Sequence, residues 1–324
     1  MAIVRHEQDV IARMLTSAAN VGITEWVIVD TGRGDQAGSE GTSTSRVAHA
    51  QAREHKASLH YRYHKWRDFS DARNCALRIA QGIQGVDYWL SLDADEEVLP
   101  GPIESMLALN DSADLFHLPL YNEGDGLNIW AARLIRHGAS LKWTGKVHEG
   151  LGPEKAGTFW EAGRTTAYRI VSHQDGWRTR TGVRDQQTLE LALAQLEGTP
   201  DNPRHLFYAA CAVENSGDKA RAIEMFERRR YMKSTTPLGE EEGWYAQFRA
   251  AYIRAVMGDH TAPYELLAAY ARRPWRTEPL AVLAFFWRQE GQEELAKMLF
   301  PRRFPWPVSD WLFVDRTLYG VCPN

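Results

Sequence analysis

Short apolar runs alternate with helical periodicity through the first hundred residues. Ala2, Ile3 and Val4 form an apolar run long enough for a short first strand. Val10, Ile11, Met14, Leu15 and Ala18 then recur at the spacing of one helix face, predicting a helix over 7–19. Residues 26–29 and 59–63 read as strands, the first closing on Asp30. Residues 31–45, rich in Gly, Ser and Thr, read as a loop. Residues 71–81 read as a helix with Ser70 as its N-cap. A fourth strand over 88–92 follows. Such alternation predicts a mostly parallel sheet with crossover helices. Residues 115–120, 130–135, 141–143 and 166–171 read as further strands without long helices between them.

The pattern changes after about residue 185 and stays helical. Leu206, Ala209, Ala210, Val213, Gly217, Ala222 and Phe226 match the small and large positions of a tetratricopeptide repeat. Gly258 and Gly291 fall in similar turns, while Pro263 stands where the repeat wants Ala. An ordinary helical bundle with glycine turns is the alternative. Residues 304–314 (FPWPVSDWLFV) are too apolar for a free tail and read as a cap on the helices. The expected organisation is α/β over 1–185, then all-α over 186–324.

Composition adds limits. The chain has 324 residues, 44% hydrophobic and 25% charged, which suits two globular domains or one large one. A net charge of −4 argues against a general nucleic-acid coat protein. No run of 18 apolar residues exists, and the first residues lack the apolar region of a signal peptide. The three cysteines, Cys75, Cys211 and Cys322, are far apart and read as reduced thiols. These features lead to the expectation of a cytoplasmic protein.

The densest chemistry lies in residues 87–100, DYWLSLDADEEVLP. An apolar run there ends in Asp93, Asp95, Glu96 and Glu97. Asp93 and Asp95 are two apart, so in a strand both point to one side. Two carboxylates held that close repel unless a cation lies between them. Hard oxygen ligands suit Mg²⁺ or Mn²⁺. In open α/β sheets, ligands sit outside the carboxyl ends of the strands. The plain alternative is the acidic first turn of a helix, which would account for Glu96 and Glu97 alone.

Five ordered segments together resemble glycosyltransferase family 2, of the GT-A fold. They are VIVDTG at 27–32, DFSDARNCAL at 68–77, LDADEE at 92–97, GKVHE at 145–149 and SHQDGW at 172–177. The resemblance covers about residues 1–190. It implies a GT-A (Rossmann-like) domain ahead of the helical one, and a metal-dependent, inverting transfer from a nucleotide-sugar, UDP-sugar favoured, with Mn²⁺ or Mg²⁺. Asp30 would contact the nucleobase or ribose. Asp35 stands where the family often has Asp in S-x-D, although Arg33 replaces a small residue. Arg73 would lie near the nucleotide; its plain alternative is a helix Arg paired with Asp71 or Asp68. Asp93 would face the ribose or the metal, and Asp95 would bind the metal directly. Glu149 matches the catalytic base, with Glu97 or Glu123 next in line. His148 would touch the metal or diphosphate, and His173 would complete the metal shell. The basic stretch 176–184, including Arg180, would fold over the diphosphate as a lid.

Trp130 and Trp143 fall near the expected acceptor face, but with 12 Trp in the chain neither is singled out. The acceptor stays open between a protein or peptide, a hydroxymethylated DNA base and a glycan. Arg228 to Arg230, with Arg272 and Arg273, would be the DNA-backbone contacts. The helical domain could also mediate a homodimer. The competing reading is a catalytically degenerate GT-A platform that binds a protein through its helices. A nucleotidyltransferase is disfavoured, because residues 4–9 (VRHEQD) offer no phosphate loop.

Overall fold

The computed structural model describes residues 1–32, 43–102, 105, 113–124, 126–155, 157–299, 310, 312–315 and 318–319. The expectations for Asp35 and Cys322, and for 304–309 and 311 of the apolar cap, lie outside the described residues. The chain divides into two compact units, one of residues 1–125 and 130–184, the other of 126–129 and 185–324.

The first unit is built on a parallel sheet. Its strands are β1 (Ala2–Val4), β2 (Glu25–Asp30) and β3 (Ser58–Tyr63), separated by α1 (Ile11–Asn20) and α2 (Ser43–Glu54). Helix α3 (Phe69–Gln81) leads into β4 (Tyr88–Leu90), β5 (Leu92–Asp93) and β6 (Glu96–Pro100). The sheet order is β3-β2-β1-β5, all pairs parallel. Strand β2 carries an unbroken apolar run, Trp26 to Val29, all buried, as a doubly covered parallel strand requires. Val27 and Val29 pack with Ala76 and Ala80 of α3 and with Trp89.

The expected fourth strand over 88–92 is two strands. Tyr88–Leu90 pairs antiparallel with residues 134–136 of a second sheet, whereas Leu92–Asp93 pairs parallel with β1. The chain changes sheets at Ser91. Glu96 and Glu97 open a strand and not a helix, because Glu96–Pro100 pairs antiparallel with Tyr168–Ser172. That pairing overturns the acidic-first-turn alternative. Ser70 is not the N-cap of α3: Asp68 is, its side chain accepting the Asp71 N–H. The expected loop over 31–45 is shorter, since α2 already begins at Ser43.

The second sheet contains β7 (Leu115–Asn122) and β8 (Leu127–Arg136), then β11 (Ala162–Arg164) and β12 (Tyr168–Ser172) with β6 and β4. Strands β9 (Leu141–Thr144) and β10 (Gly150–Pro153) form an antiparallel hairpin between them in the chain. The unit closes with a short helix, α4 (Trp177–Arg180).

The second unit is helical: α5 (Arg184–Gly198), α6 (Pro203–Asn215), α7 (Lys219–Tyr231), α8 (Pro237–Val256), α9 (Ala262–Arg272), α10 (Glu278–Gln289) and α11 (Glu293–Leu299). Leu206, Ala209, Ala210, Val213, Ala222 and Phe226 are all buried, as the repeat pattern expects. Gly217, Gly258 and Gly291 end α6, α8 and α10 at φ between +73° and +91°, the left-handed turn that reverses the chain. Pro263 fits because it lies in the first turn of α9, where no N–H is needed. No helix among the described residues is long and apolar enough to cross a membrane.

Candidate active site

Strands β2 and β5 flank β1 and end in Asp30 and Asp93, so both acids stand at the carboxyl edge of the parallel sheet. Asp30 is fully buried. Its Oδ2 accepts the Tyr61 hydroxyl at 2.6 Å and its Oδ1 accepts the Gly32 N–H at 2.7 Å. Tyr61 meets Tyr63 edge to face, with ring centroids 5.6 Å apart.

Arg73 is the centre of the site. It lies on the buried face of α3 and donates from Nη2 to Asp93 Oδ1 at 2.6 Å and from Nε to Glu149. Its guanidinium lies 5.2 Å over the Trp143 ring. The alternative pairing with Asp71 or Asp68 does not occur: Asp71 pairs with His64 at 2.6 Å and Asp68 caps the helix. A second buried arginine, Arg133 of β8, reaches Asp93 Oδ2 at 3.6 Å and Glu96 Oε1 at 2.5 Å. Glu96 Oε2 accepts the Asp93 N–H at 2.8 Å. Burial alone would raise Asp93, but the Arg73 and Arg133 guanidiniums overcome it and hold the carboxyl at about 2. Burial pushes Glu96 upward against the pull of the Arg133 guanidinium. Both Glu96 oxygens nevertheless accept hydrogen bonds, which suits the ionised form.

Asp95 stands in different surroundings. Among the described residues no ion pair reaches it, and its Oδ2 accepts the Gly176 N–H at 3.3 Å. Burial and the Asp93 charge raise its pKa. Glu7 is close by, and Trp177 N–H donates to its Oε2 at 2.9 Å. Burial raises Glu7 to about 7 against that hydrogen bond, and Asp95 and Asp93 add to the rise. A Cβ at position 176 would lie 3.2 Å from Asp95 Oδ2 and 3.6 Å from Glu7 Oε1, so the backbone approaches both acids closely because residue 176 is glycine.

The 173–184 segment is fastened to α1 and to the loop after β1. Arg13 forms a two-pronged pair with Asp175 at 2.9 and 2.5 Å. Arg5 and His6 pack on the Trp177 ring at 5.3 and 5.1 Å. Arg180 pairs with Asp9 at 2.5 Å, so its charge is directed to that loop and not to Asp93 or Asp95.

Glu149 sits in the β9–β10 turn, which α3 clamps. Asn74 donates to Trp143 O at 2.9 Å and accepts from Trp143 N at 2.8 Å. Ser70 donates to Gly145 O, and Phe69 N–H donates to Lys146 O at 3.2 Å. His148 has φ +50°, a left-handed conformation that costs a non-glycine residue about 1 kcal/mol. His6 and Gln174 share that geometry, so strained residues adjoin Glu7, Glu149 and His173.

His173 does not join Asp93 and Asp95. Its ring nitrogens face Glu97 Oε2 at 2.8 Å and Glu123 Oε2 at 2.7 Å, and only its backbone N–H meets Asp95, at the carbonyl. The strand pairing of β12 with β6 sets Ser172 opposite Glu96, which carries the next residue toward Glu97. Among the described residues no group of three or more His, Cys, Asp or Glu side chains is gathered to hold a metal. Glu97 and Glu123 are likewise engaged with His173.

Glu7, Glu96 and Arg133 were not singled out as functional in the sequence. Glu7 could have been noticed as an acid in the loop after the first strand. Nothing local marks Arg133, because long-range strand pairing alone brings it beneath Asp93.

A parallel sheet with two acids at its carboxyl edge, a D-x-D turn and a helical-repeat unit in the same chain define a GT-A transferase with a TPR-like appendage. Residues 2–160 match the family Glycosyl transferase family 2, and the N-terminal unit belongs to that family. No curated protein matches the chain. Solved structures similar to 38% of it include MamA MSR-1, at 17% identity over 67% of that chain and a TM-score of 0.31. Others are MamA RS-1 (18%, 65% and 0.31) and MamA AMB-1 (19%, 69% and 0.32). The chain thus spans about two thirds of the length of these MamA structures.

Proposed function

We propose that this glycosyltransferase moves a sugar from a UDP-sugar to an acceptor hydroxyl with inversion at the anomeric carbon. The observation that supports this best is Arg73, which holds Asp93 and Glu149 together at the carboxyl edge of the sheet. The acceptor oxygen attacks the anomeric carbon as the bond from that carbon to the diphosphate oxygen breaks. The acceptor proton passes to Glu149, and the nucleoside diphosphate leaves with the bonding pair. Asp30 and the Tyr61–Tyr63 pair would receive the nucleoside. His148 would face the diphosphate beside Glu149.

The residues fit a divalent cation, Mn²⁺ or Mg²⁺, through Asp95. Among the described residues no direct ion pair reaches that carboxylate, and such ions are commonly held by one or two carboxylates plus substrate phosphates, without an all-protein cage. When bound, the ion would offset charge on the departing diphosphate. Asp93 is already compensated by two guanidiniums, and His173 by two carboxylates, so Asp95 is the ligand assigned here.

The acceptor is a hydroxyl on a peptide or protein, a hydroxymethylated DNA base or a glycan. The basic residues suggested for DNA are mostly engaged: Arg229 is buried against Gly239 O, Arg230 pairs with Glu227 and Glu265, and Arg273 pairs with Asp310. That favours a peptide or glycan. The degenerate-platform reading is not favoured, since Asp93, Asp95 and Glu149 are all present and arranged about one sheet edge.

Glu149→Gln tests the reading. Donor affinity, by titration with UDP-glucose and Mn²⁺, should stay near wild type while turnover falls on the order of 10²–10⁴-fold. Lost affinity with unchanged saturated turnover would make Glu149 a binding residue.

A further inference from the structure

Five buried or half-buried charged groups form one alternating chain: Glu96, Arg133, Asp93, Arg73, Glu149. The links are 2.5 Å from Glu96 to Arg133, 3.6 Å from Arg133 to Asp93 and 2.6 Å from Asp93 to Arg73, and Arg73 then donates to Glu149. The members come from β6, β8, β5, α3 and the turn before β10, so no local segment fixes their order. Glu96 also accepts the Asp93 N–H at 2.8 Å, which ties the two acids of β5 and β6 together.

We propose that Glu96 and Arg133 are positioning residues, which act on Glu149 through Asp93 and Arg73. This rests on the reading of Glu149 as the base. A guanidinium is a rigid planar fork, so the nitrogens of Arg73 that hold Asp93 and Glu149 cannot move independently. Trp143 beneath it fixes the plane of that fork. Whatever displaces Asp93 therefore displaces Arg73 and, with it, the Glu149 carboxylate. Asp93 is itself held from the far side by Arg133, whose strongest contact is Glu96. Breaking one buried pair leaves its partner uncompensated, so the disturbance passes along the chain. A misplacement of about 1 Å at a reacting group costs on the order of 10² in rate.

The test is a double-mutant cycle on the full chain: wild type, Arg133→Lys, Glu149→Gln and the double variant. Arg133→Lys keeps the charge and loses the fork. A Glu96→Gln/Arg133→Met pair, which removes both buried charges together, serves if the lysine variant fails to fold. Two readouts are taken on the same proteins. The first is thermal unfolding without ligand; the second is nucleotide release from UDP-, GDP- and dTDP-sugars with Mn²⁺.

The melting shifts of the two single variants should fail to add in the double variant. Arg133→Lys should slow release about tenfold or more with donor KM within about twofold, and should have no further effect when Glu149 is already Gln. Additive melting shifts, or an Arg133→Lys variant with wild-type kcat, would overturn the proposal. Full release by Glu149→Gln, with non-additive melting, would instead sink the base assignment and leave the chain of contacts standing. No release from any donor counts against the donor reading, and the melting cycle still decides the chain.

Discussion

Asp93 and Asp95 are two residues apart and have opposite surroundings. Asp93 is held at about 2 by two guanidiniums, whereas Asp95 is raised by burial and by Asp93 itself. The two acids of one motif therefore differ in charge environment, which is why the proposed mechanism makes Asp93 an anchor and Asp95 the cation ligand. Glu7 makes the local excess of acid measurable. Burial lifts its pKa from 4.5 to about 7, so over that interval the folded state binds the proton more tightly than the unfolded state. Stability then falls as pH rises from about 4.5 to 7, because the unfolded chain gives up the proton first. Glu7→Gln should remove that slope, since the amide oxygen can still accept the Trp177 N–H. In chelator, the variant should melt higher than wild type at pH 8, and the advantage should vanish near pH 4. An equal difference at both pH values would show that Glu7 is not the source.

Helix α3 shows how one element builds a site. Its inner stripe of Ala72, Ala76, Leu77 and Ala80 is buried, and its first turns supply Ser70, Arg73 and Asn74 to the β9–β10 hairpin. Asn74→Ala leaves the Trp143 N–H and C=O without their partner, a cost of about 2 kcal/mol. The melting temperature should drop by several degrees, and turnover should fall through a loosened Glu149. An unchanged melt would show that the hairpin holds itself. Elements with strong periodicity were legible in the sequence: α1, β2, α3 and the buried face of α6 and α7 stand near the expected positions. Helix α2 was not expected, because STSRVAHAQARE is mostly polar and its buried face uses Thr44, Ser45, Ala48 and Ala52. Strand β6 hid behind its two glutamates, since a pattern cannot show that Glu96 has Arg133 as a buried partner. The expected position of Asp30 was legible from the end of an apolar run. The grouping of Arg73 with Glu149 was not, since they lie 76 residues apart.

At the scale of the whole molecule, the α/β unit and the helical unit each have their own buried clusters. Phe207, Val213, Phe226 and Ile253 form one in the helices, and Trp244, Phe248, Leu266 and Phe286 another. Limited trypsin digestion should cut near Arg180 and Arg184, beside the exposed Gly182 turn, and release a stable helical fragment. Persistent resistance there, with a single calorimetric transition for both parts, would contradict two independent units. The central claim is that the α/β unit transfers a sugar with a cation held by Asp95. The most direct measurement is nucleotide release from UDP-glucose by the intact chain, with and without Mn²⁺, beside Asp95→Ala. Wild type should release UDP only with the ion, and Asp95→Ala should lose both release and ion-dependent donor binding. Wild-type turnover by Asp95→Ala at saturating donor and Mn²⁺ would contradict the account.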